Sequence, residues 1–560
     1  MKINYIKHLT VFALSLLSLY SSLEAQTEIK KEVEVVKPYE PVVSDAKKIT
    51  ILPKINDSIG VQPVFQYKVV PIVINNDYQL SSINAAKMLS MPLTKLYNGY
   101  LRLGYGNYST PLAELYLNSN RSKSYSYGAL VQHKSSTGNV TLDNDHSVYA
   151  GYSDTKAELF GKKFLTNAVL SAKAGFQGKT VYPYGYQWIY PILLDKDSIR
   201  QHFIMAGFDA GVHSIHLDSS QLFYKGNFHF NYFKDRFDNA EHNVDVTAQF
   251  NKKIDNKMFG VDIDYNFLNR NKTLDPLGNN NAQFNITPWI NISSEDYQLK
   301  AGLLFVFENQ LDEFHIKLYP TAEFNFVAVK DVLLPFLGVY GKVQNHSYSD
   351  IAMENPYIRP RLLINNGYNF TFYGGVKGNL ADKTSYIAKL EYANITDDYF
   401  FINDTLSKYR NQFIIAYDDV KKTTGSLDIN YAYSDELSFS AKLNFYQYQM
   451  THQSYAWHKP SNDFTLSARY NMRNKIIVDF NMLTEGARHV KQFRTVKPYN
   501  EIESTTLNGM IDFNLGVEYR YTKVLSAWIK FNNFTFSKYY IWNLYTAQRF
   551  NMMLGITYSL

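Results

Sequence analysis

The chain has 560 residues, no cysteine, 16% aromatic residues with 46 Tyr and 37 Phe, and a net charge of +6 from 57 Lys+Arg and 51 Asp+Glu. A chain without cysteine has no disulfide scaffold, no thiolate zinc site and no thiol nucleophile. The near balance of charge argues against a nucleic-acid-binding protein, in which basic residues dominate and cluster, and the tyrosine-rich composition is typical of a β-protein.

The N-terminus has the pattern of a secretory signal peptide. Lys2, Lys7 and His8 precede an apolar stretch at 9–20, and Ala25 provides a small residue at the predicted cleavage site. An apolar stretch of about 12 residues is too short to cross a bilayer core of about 30 Å as a helix. The sequence therefore predicts a signal peptide over 1–25 and export of the chain.

The segment that follows, 26–96, has the composition of an extended chain. Its first part, 27–41, is charged and interrupted by prolines, and further prolines stand at Pro53, Pro63 and Pro71. Prolines at this spacing favour extended or polyproline II backbone over a folded core. We therefore expect a short extended N-terminal segment that acts as a periplasmic strap or a partial plug.

From residue 97 onward, apolar and polar residues alternate with the period of a β-strand. In 511–521 the odd positions are apolar or aromatic and the even positions are polar or glycine, and the same alternation recurs in 259–267, 437–445 and 550–560. Such strands have one apolar and one polar face. Soluble β-sandwiches also alternate, but their strands are usually about 5–6 residues long, whereas a strand that crosses a membrane needs about 9–11.

Short polar breaks between the alternating segments give the number of strands. They lie at 120–123, 161–163, 217–220, 253–256, 293–296, 330–331, 381–384, 434–436, 473–474 and 522–523. Their spacing of roughly 36 to 56 residues corresponds to two strands and a longer loop. The pattern predicts an all-β fold, a transmembrane antiparallel β-barrel of about 22 strands over 97–560, with 16–20 as the alternative count. Within the longest interval, 411–420 is either an extra strand pair or a loop extension.

Catalytic and metal-binding patterns are weak. His213 and His216 are three residues apart, so on a strand they point to opposite faces and cannot share a metal. Asp262 and Asp264 share one face, but lysines and arginines on other polar faces favour a solvated lumen of mixed charge over acid-base chemistry. We expect no enzyme activity, no catalytic residue, no metal site and no cofactor.

The most ligand-like feature of the sequence is an aromatic stretch at 181–191, in a predicted loop. Its exposed rings would offer flat faces to sugars or partner proteins. The candidate ligand-binding residues are Tyr182, Tyr184, Tyr186, Trp188 and Tyr190. The alternative interpretation is an aromatic girdle with a well-packed loop. The segment 355–360 is predicted to line the same mouth.

The C-terminal half resembles the barrel of TonB-dependent receptors. The resemblance is carried by the tyrosine-containing segment 539–545 and by the last strand, 549–560, which contains Gly555 and Tyr558. Together with 35–46, Leu52-Pro53 and 103–109, it extends to a group of short, plug-less barrels of this type. The chain departs from the pattern at Leu560, where an aromatic residue is commoner, and in having no full plug.

This resemblance implies an outer-membrane protein that acts in solute uptake or passage. The alternative is a structural or assembly partner that scaffolds another envelope protein. The implied partners are outer-membrane lipid and a periplasmic or outer-membrane protein, with no nucleic acid. The motifs describe architecture and name no substrate.

Overall fold

A computed structural model describes residues 96–186, 195–215, 221–271, 280–310, 313–493 and 502–560. The chain divides into two units, Met1–Ser90 and Met91–Leu560, and every described residue belongs to the second. The predicted signal peptide, 1–25, and the predicted strap or partial plug, 26–96, therefore lie outside the described residues except for residue 96.

Within the described residues, 22 strands join into one antiparallel sheet. Its first eleven strands are β1 (Gly99–Gly106), β2 (Thr110–Asn118), β3 (Tyr125–Ser136), β6 (Tyr152–Phe164), β7 (Ala168–Val181), β8 (Gln201–Ser214), β9 (Phe223–Asp235), β10 (Ala240–Ile254), β11 (Lys257–Arg270), β12 (Asn281–Ser293) and β13 (Tyr297–Gln310). The other eleven are β14 (Glu313–Phe326), β15 (Leu334–Gln344), β16 (Gly367–Ala381), β17 (Thr384–Asn403), β18 (Phe413–Ala432), β19 (Leu437–Met450), β20 (Asn462–Met472), β21 (Ile476–Glu485), β24 (Met510–Arg520), β25 (Leu525–Asn532) and β28 (Asn551–Ser559).

Three small hairpins and two short helices lie between these strands in the described parts of the chain. The hairpins are β4 (Asn139–Thr141) with β5 (Ser147–Tyr149), β22 (Arg488–Phe493) with β23 (Ile502–Leu507), and β26 (Tyr540–Trp542) with β27 (Tyr545–Thr546). The helices are α1 (Lys196–Ile199) and α2 (Tyr348–Glu354). In the described residues, neither helix has the length and apolarity that a membrane crossing needs.

The sheet closes on itself to form a barrel. Each barrel strand pairs with the next along the chain, and β28 pairs with β1 from Ser559–Tyr100 to Met553–Gly106. The carbonyl of Leu560 accepts hydrogen bonds from the backbone N–H groups of Asn98 and Gly99, so both ends of the barrel segment meet at one rim. The predicted antiparallel barrel of about 22 strands is confirmed, and the alternative of 16–20 strands is wrong.

One rim carries short turns and the other carries the longer loops; we call them the turn end and the loop end. Some turn residues have a left-handed backbone, such as Arg473 and Asn474 with φ of 49° and 56°, and asparagine tolerates this conformation well. Eight of the ten predicted turns coincide with strand reversals at this rim. The predicted turn at 161–163 is wrong, because β6 continues to Phe164 and the chain reverses at 165–167. The predicted turn at 217–220 lies outside the described residues.

The segment 411–420 is neither of the two structures predicted for it. From Phe413 onward it forms the first part of β18, which pairs with β17 as far as Asn403. These two strands have 20 residues each and extend beyond their neighbours at the loop end. The long interval between turns thus comes from long strands rather than from additional ones.

The alternation of the sequence separates an apolar outer surface from a polar lumen. On β14, Phe314, Ile316 and Leu318 are 65%, 64% and 54% exposed, which places them on the outside of the barrel. The residues between them, His315 and Lys317, therefore face the lumen. A continuous set of exposed apolar side chains around a closed barrel is what a lipid bilayer accommodates.

Candidate functional site: the closed loop end

The loop end of the barrel is filled by a hydrophobic cluster, which we call the loop core. Its buried members are Val140, Leu142, Val148, Ala150, Val181, Tyr184, Tyr186, Phe203, Phe233, Tyr348, Ile351, Ala352, Ile358, Leu362, Ile364, Phe401, Phe413 and Tyr545. They come from loops and strand ends around the ring. Burying apolar side chains from separate loops ties these loops together at a gain of roughly 1.5–3 kcal/mol per large side chain.

The loops of the core meet across the barrel. Asn411, in the loop between β17 and β18, donates a hydrogen bond of 3.0 Å from Nδ2 to the carbonyl of Pro183, in the loop between β7 and β8. Strand β7 is the fifth of the 22 barrel strands and β17 is the fifteenth, so the two loops begin on opposite sides of the ring. Tyr545 contacts both loops, since its hydroxyl donates to the carbonyl of Asn411 at 2.6 Å and its ring lies 5.1 Å from that of Tyr184. The loops therefore span the mouth.

We call the loops that span this mouth the cap, and one of its longest members is the inward loop, residues 345–366, which connects β15 to β16. Strand β14 pairs with β13 along its full length but with β15 only from Ala322 to Asn325. Beyond that point β15 leaves the wall, and the ring of Tyr319, on the lumenal face of β14, occupies the space beside Gly341 where a Cβ would lie. The chain therefore enters the inward loop from a strand that already bends into the lumen.

A buried ion pair on the barrel wall anchors the inward loop. Glu241 on β10 and Arg270 on β11 are 1% and 8% exposed, and Arg270 Nε lies 3.0 Å from Glu241 Oε2. The same carboxylate accepts hydrogen bonds from the backbone N–H groups of Tyr348 and Ser349, at the first turn of α2. Arg270 also donates to the carbonyl of His346 at 2.7 Å. The two charges neutralise each other, and the inward loop supplies further hydrogen-bond partners to both.

Further buried polar contacts hold the other end of the inward loop. Glu308 on β13 has no exposed surface, and its carboxylate accepts hydrogen bonds from Asn366 and from the hydroxyl of Tyr368. Asn281 on β12 donates to the amide oxygen of Asn366 at 2.8 Å. If the loop moved away, the buried carboxylate of Glu308 would lose these hydrogen-bond donors. The contacts therefore favour the inward position of the loop.

On the opposite side, the inward loop packs against aromatic residues. The ring of Tyr357 stacks on that of Tyr545 at 3.7 Å between centroids, and the ring of Tyr184 lies 6.2 Å from Tyr357. The backbone N–H of Phe413 donates to the carbonyl of Tyr357 at 3.0 Å. The segment 355–360 and the start of the aromatic stretch therefore do line the same mouth.

The sequence-predicted ligand-binding residues have different positions in this cap. Tyr184 and Tyr186 are 6% and 3% exposed and belong to the loop core, and Tyr182 is half-buried with its ring 4.9 Å from that of Tyr149. Trp188 and Tyr190 lie outside the described residues. In this arrangement, Tyr184 and Tyr186 are covered by other loops, as in the alternative interpretation of a well-packed loop.

Burial determines the protonation of several residues in the cap. Burial lowers the pKa of His458 to about 3, with Arg488 and Lys459 as further causes, although Nδ1 hydrogen-bonds the carbonyl of Phe401. Burial also lowers the pKa of His346 to about 4. The pKa of Tyr184 is well above its ordinary value, mainly because of burial. The cap therefore contains neutral histidines and tyrosines at neutral pH.

Sequence reasoning missed several residues that organise the cap. Tyr348, Phe413, Glu241 and Arg270 were not singled out, and Tyr545 contributed only to the family resemblance. Their partners are distant in sequence: Tyr184 donates to the carbonyl of Thr546, 362 positions away. One feature of the sequence does indicate the cap: the long predicted loops contain more aromatic residues than solvent-exposed loops usually have, which suggests that these loops are buried.

Among the residues that the structure describes, no group of three or more His, Asp or Glu side chains could hold a metal ion. Asp262 and Asp264 both lie on the lumenal face of β11, as the alternation predicted.

No family model and no curated protein matches the chain. Solved structures do match it. The pyoverdine outer membrane receptor FpvA from Pseudomonas aeruginosa PAO1 has a TM-score of 0.60 and 11% identity over 84% of this chain and 79% of that chain. The siderophore receptor PiuA from Acinetobacter baumannii has a TM-score of 0.61 and 10% identity over 83% of this chain and 82% of that chain. The copper transporter OprC has a TM-score of 0.59 and 10% identity over 84% and 81% of the two chains. The chain thus has the barrel fold of TonB-dependent receptors.

Proposed function

We propose that this protein is a non-enzymatic outer-membrane barrel that acts in the uptake or passage of a polar solute. The fold of outer-membrane receptors and transporters, the apolar outer surface and the polar lumen support this proposal. In the proposal, the signal peptide at 1–25 directs export, the barrel resides in outer-membrane lipid, and 26–96 is a periplasmic strap or partial plug.

The observation that carries the proposal is the pairing of a polar lumen with a cap made from the chain's own loops. A 22-strand barrel is wide enough to need a filling, and loops fill its loop end here. Passage therefore requires the inward loop or its neighbours to move. Contact between the solute and Tyr184 or Tyr186 requires the same movement, because both rings are covered.

Planar-bilayer conductance tests this function. We expect the full-length barrel to show rare, brief openings, because the buried Glu241–Arg270 pair and the loop core hold it closed. Replacing 346–365 by a short Gly-Ser linker should give long-lived openings. Tyr357→Ala, which removes the ring contacts with Tyr545 and Tyr184 but leaves the rest of the inward loop unchanged, should give an intermediate opening frequency. Heat-modifiable migration in electrophoresis confirms that each variant is folded.

Scaffolding of another envelope protein is the second candidate. The specific observation in its favour is the extent of the loop core, since a mouth filled with buried aromatic residues also suits a permanently closed barrel. Under this alternative the folded linker variant conducts, but the wild-type chain never does, and it co-purifies from native membranes with a stoichiometric protein partner. Openings of the wild-type chain together with the absence of such a partner would exclude scaffolding.

A further inference from the structure

The lumenal wall carries one continuous row of amide and hydroxyl side chains on nine consecutive barrel strands, which we call the polar row. Its first six members, paired in register on β16 to β21, are Asn379, Ser385, Asn430, Ser440, Ser467 and Asn481. Asn481 pairs with Asn514 on β24, and the row continues through Asn532 on β25 and Asn551 on β28. At all nine positions, the alternation along the strand places the side chain on the lumenal face.

The polar row crosses the barrel wall from one rim to the other. It begins near the turn end, where the backbone N–H of Asn379 donates to the carbonyl of Asp331. It ends at the loop end with Asn551, the first residue of β28. Barrel strands are tilted, so a row perpendicular to them climbs along the axis. Eight intervals of about 4.8 Å give the row a length on the order of 38 Å.

The chemistry of the polar row is uniform and uncharged. An amide offers two donors and an acceptor oxygen, and a hydroxyl offers one of each kind. Charges of both signs lie beside the row: Asp428 pairs in register with Lys442, and Arg469 Nε lies 3.6 Å from Asp479 Oδ1. At the cavity described next, Asp382 and Asp479 are balanced by Lys383 and Arg469, so the charges there sum to zero. The row therefore matches a ligand that exchanges neutral hydrogen bonds along its length.

A cavity lies on the same stretch of wall. The first six members of the polar row contribute to the lining of a cavity of about 530 Å³ near the turn end. This volume is within the range of small-molecule sites, about 300–1,000 Å³. Two lumen-facing apolar side chains flank the row, Ile387 and Leu483, and they are 43% and 37% exposed. Ring sugars have both hydroxyl edges and apolar faces, and this wall presents partners for both.

We propose that the polar row binds a neutral, polyhydroxylated chain, a linear oligosaccharide, whose successive hydroxyls hydrogen-bond to side chains on successive strands. The inference rests on the proposed passage function and assigns its substrate class. The open cavity at the turn end receives one part of the oligosaccharide, and the members on β24, β25 and β28 lead from there to the cap.

Calorimetric titration of the full-length barrel in detergent micelles tests the inference without requiring passage. The probes are maltohexaose, which is neutral, and hexagalacturonate, an anionic oligomer of equal length. We expect maltohexaose to bind at least tenfold more tightly. Asn430→Leu and Asn481→Leu should each raise its Kd about two- to tenfold, because each removes a hydrogen bond worth about 0.5–1.5 kcal/mol. Ser467→Ala provides a smaller change if a leucine variant does not fold.

The matched control is Asn227→Leu. Asn227 is an exposed lumenal amide on β9, outside the polar row, so its replacement should leave the Kd unchanged. Unchanged affinity in the row variants, an equal loss in the control, or equal binding of the two probes would overturn the inference. Row-dependent binding by a barrel that never conducts would contradict the passage function alone. Conductance with no row-dependent binding would contradict this inference alone.

Discussion

At the scale of single residues, the wall holds the inward loop through charges that are costly to leave unpaired. Arg270→Ala would leave the carboxylate of Glu241, which is 1% exposed, without its ion-pair partner and with only backbone donors. Removing one partner of a buried ion pair costs about 3–5 kcal/mol. We expect a loss of this size in the free energy of unfolding in micelles, together with faster protease cleavage between 345 and 366.

The control for this variant is Arg469→Ala. Arg469 pairs with Asp479 on the open lumenal wall, where the two side chains are 61% and 47% exposed. Exposed pairs contribute about 0–1 kcal/mol, so this variant should unfold almost like the wild type. Equal destabilisation by both substitutions would show that the Glu241–Arg270 pair has no special role in holding the loop.

The buried histidines of the cap predict a dependence of its stability on pH. The pKa of His458 is lowered to about 3 and that of His346 to about 4, whereas an exposed histidine has a pKa of about 6.5. Between about pH 6.5 and these lower pKa values, the two histidines therefore take up protons only when the cap is open. Its stability is fully present above about pH 6.5 and is lost as pH falls toward 4 and then 3.

Protease protection of the loops at pH 7 and pH 4.5 measures this loss. His458→Asn keeps a donor toward the carbonyl of Phe401 but cannot take up the proton, so the difference between the two pH values should shrink. His315→Asn, at a lumenal position outside the cap, serves as the control and should behave like the wild type. A cap that is equally protected at both pH values would contradict the prediction.

At the scale of secondary-structure elements, the period of the sequence was sufficient to predict the strands. The dyad alternation and the polar breaks located most reversals, because each strand must present an apolar face to lipid. The errors arose where strands continue further than the polar pattern indicates. Lys162 and Lys163 look like a turn, yet they pair with β3 at the end of β6, and β17 and β18 extend into the loop core.

Strand β24 allows a direct test of which face meets lipid. Leu515 pairs in register with Phe480 and Phe531 on the apolar side, whereas Asn514 belongs to the lumenal polar row. We expect Leu515→Arg to cost about 2–4 kcal/mol in barrel stability, and Asn514→Arg to cost much less, because that side chain enters a hydrated interior. Electrophoretic heat-modifiability and urea titration measure both. Equal losses would mean that the register is shifted by one residue, which exchanges the faces.

At the scale of the whole molecule, the sequence predicted the wall but not what closes it. The number of strands follows from local patterns that repeat along the chain. The cap depends on contacts such as Asn411 with Pro183, 228 positions apart, which join loops from opposite sides of the ring. No local pattern encodes such a pairing, because each loop alone shows only aromatic residues that need burial. Tyr184 and Tyr186, which the sequence suggested as ligand-binding residues, are buried because the loops pack around them.

The orientation of the barrel in the membrane is the last prediction. Outer-membrane barrels have short turns on the periplasmic side and longer loops outside, so we expect the turn end, where Asn98 and Gly99 meet Leu560, to face the periplasm. The chain has no cysteine, so single cysteines report the location of each rim. Leu406→Cys, in a loop-end residue that is 79% exposed, should react with a membrane-impermeant maleimide on intact cells. Lys523→Cys, in the turn between β24 and β25, should react only after the outer membrane is opened. The reverse result would place the loop core in the periplasm, and the cap would then close the exit of the barrel rather than its entrance.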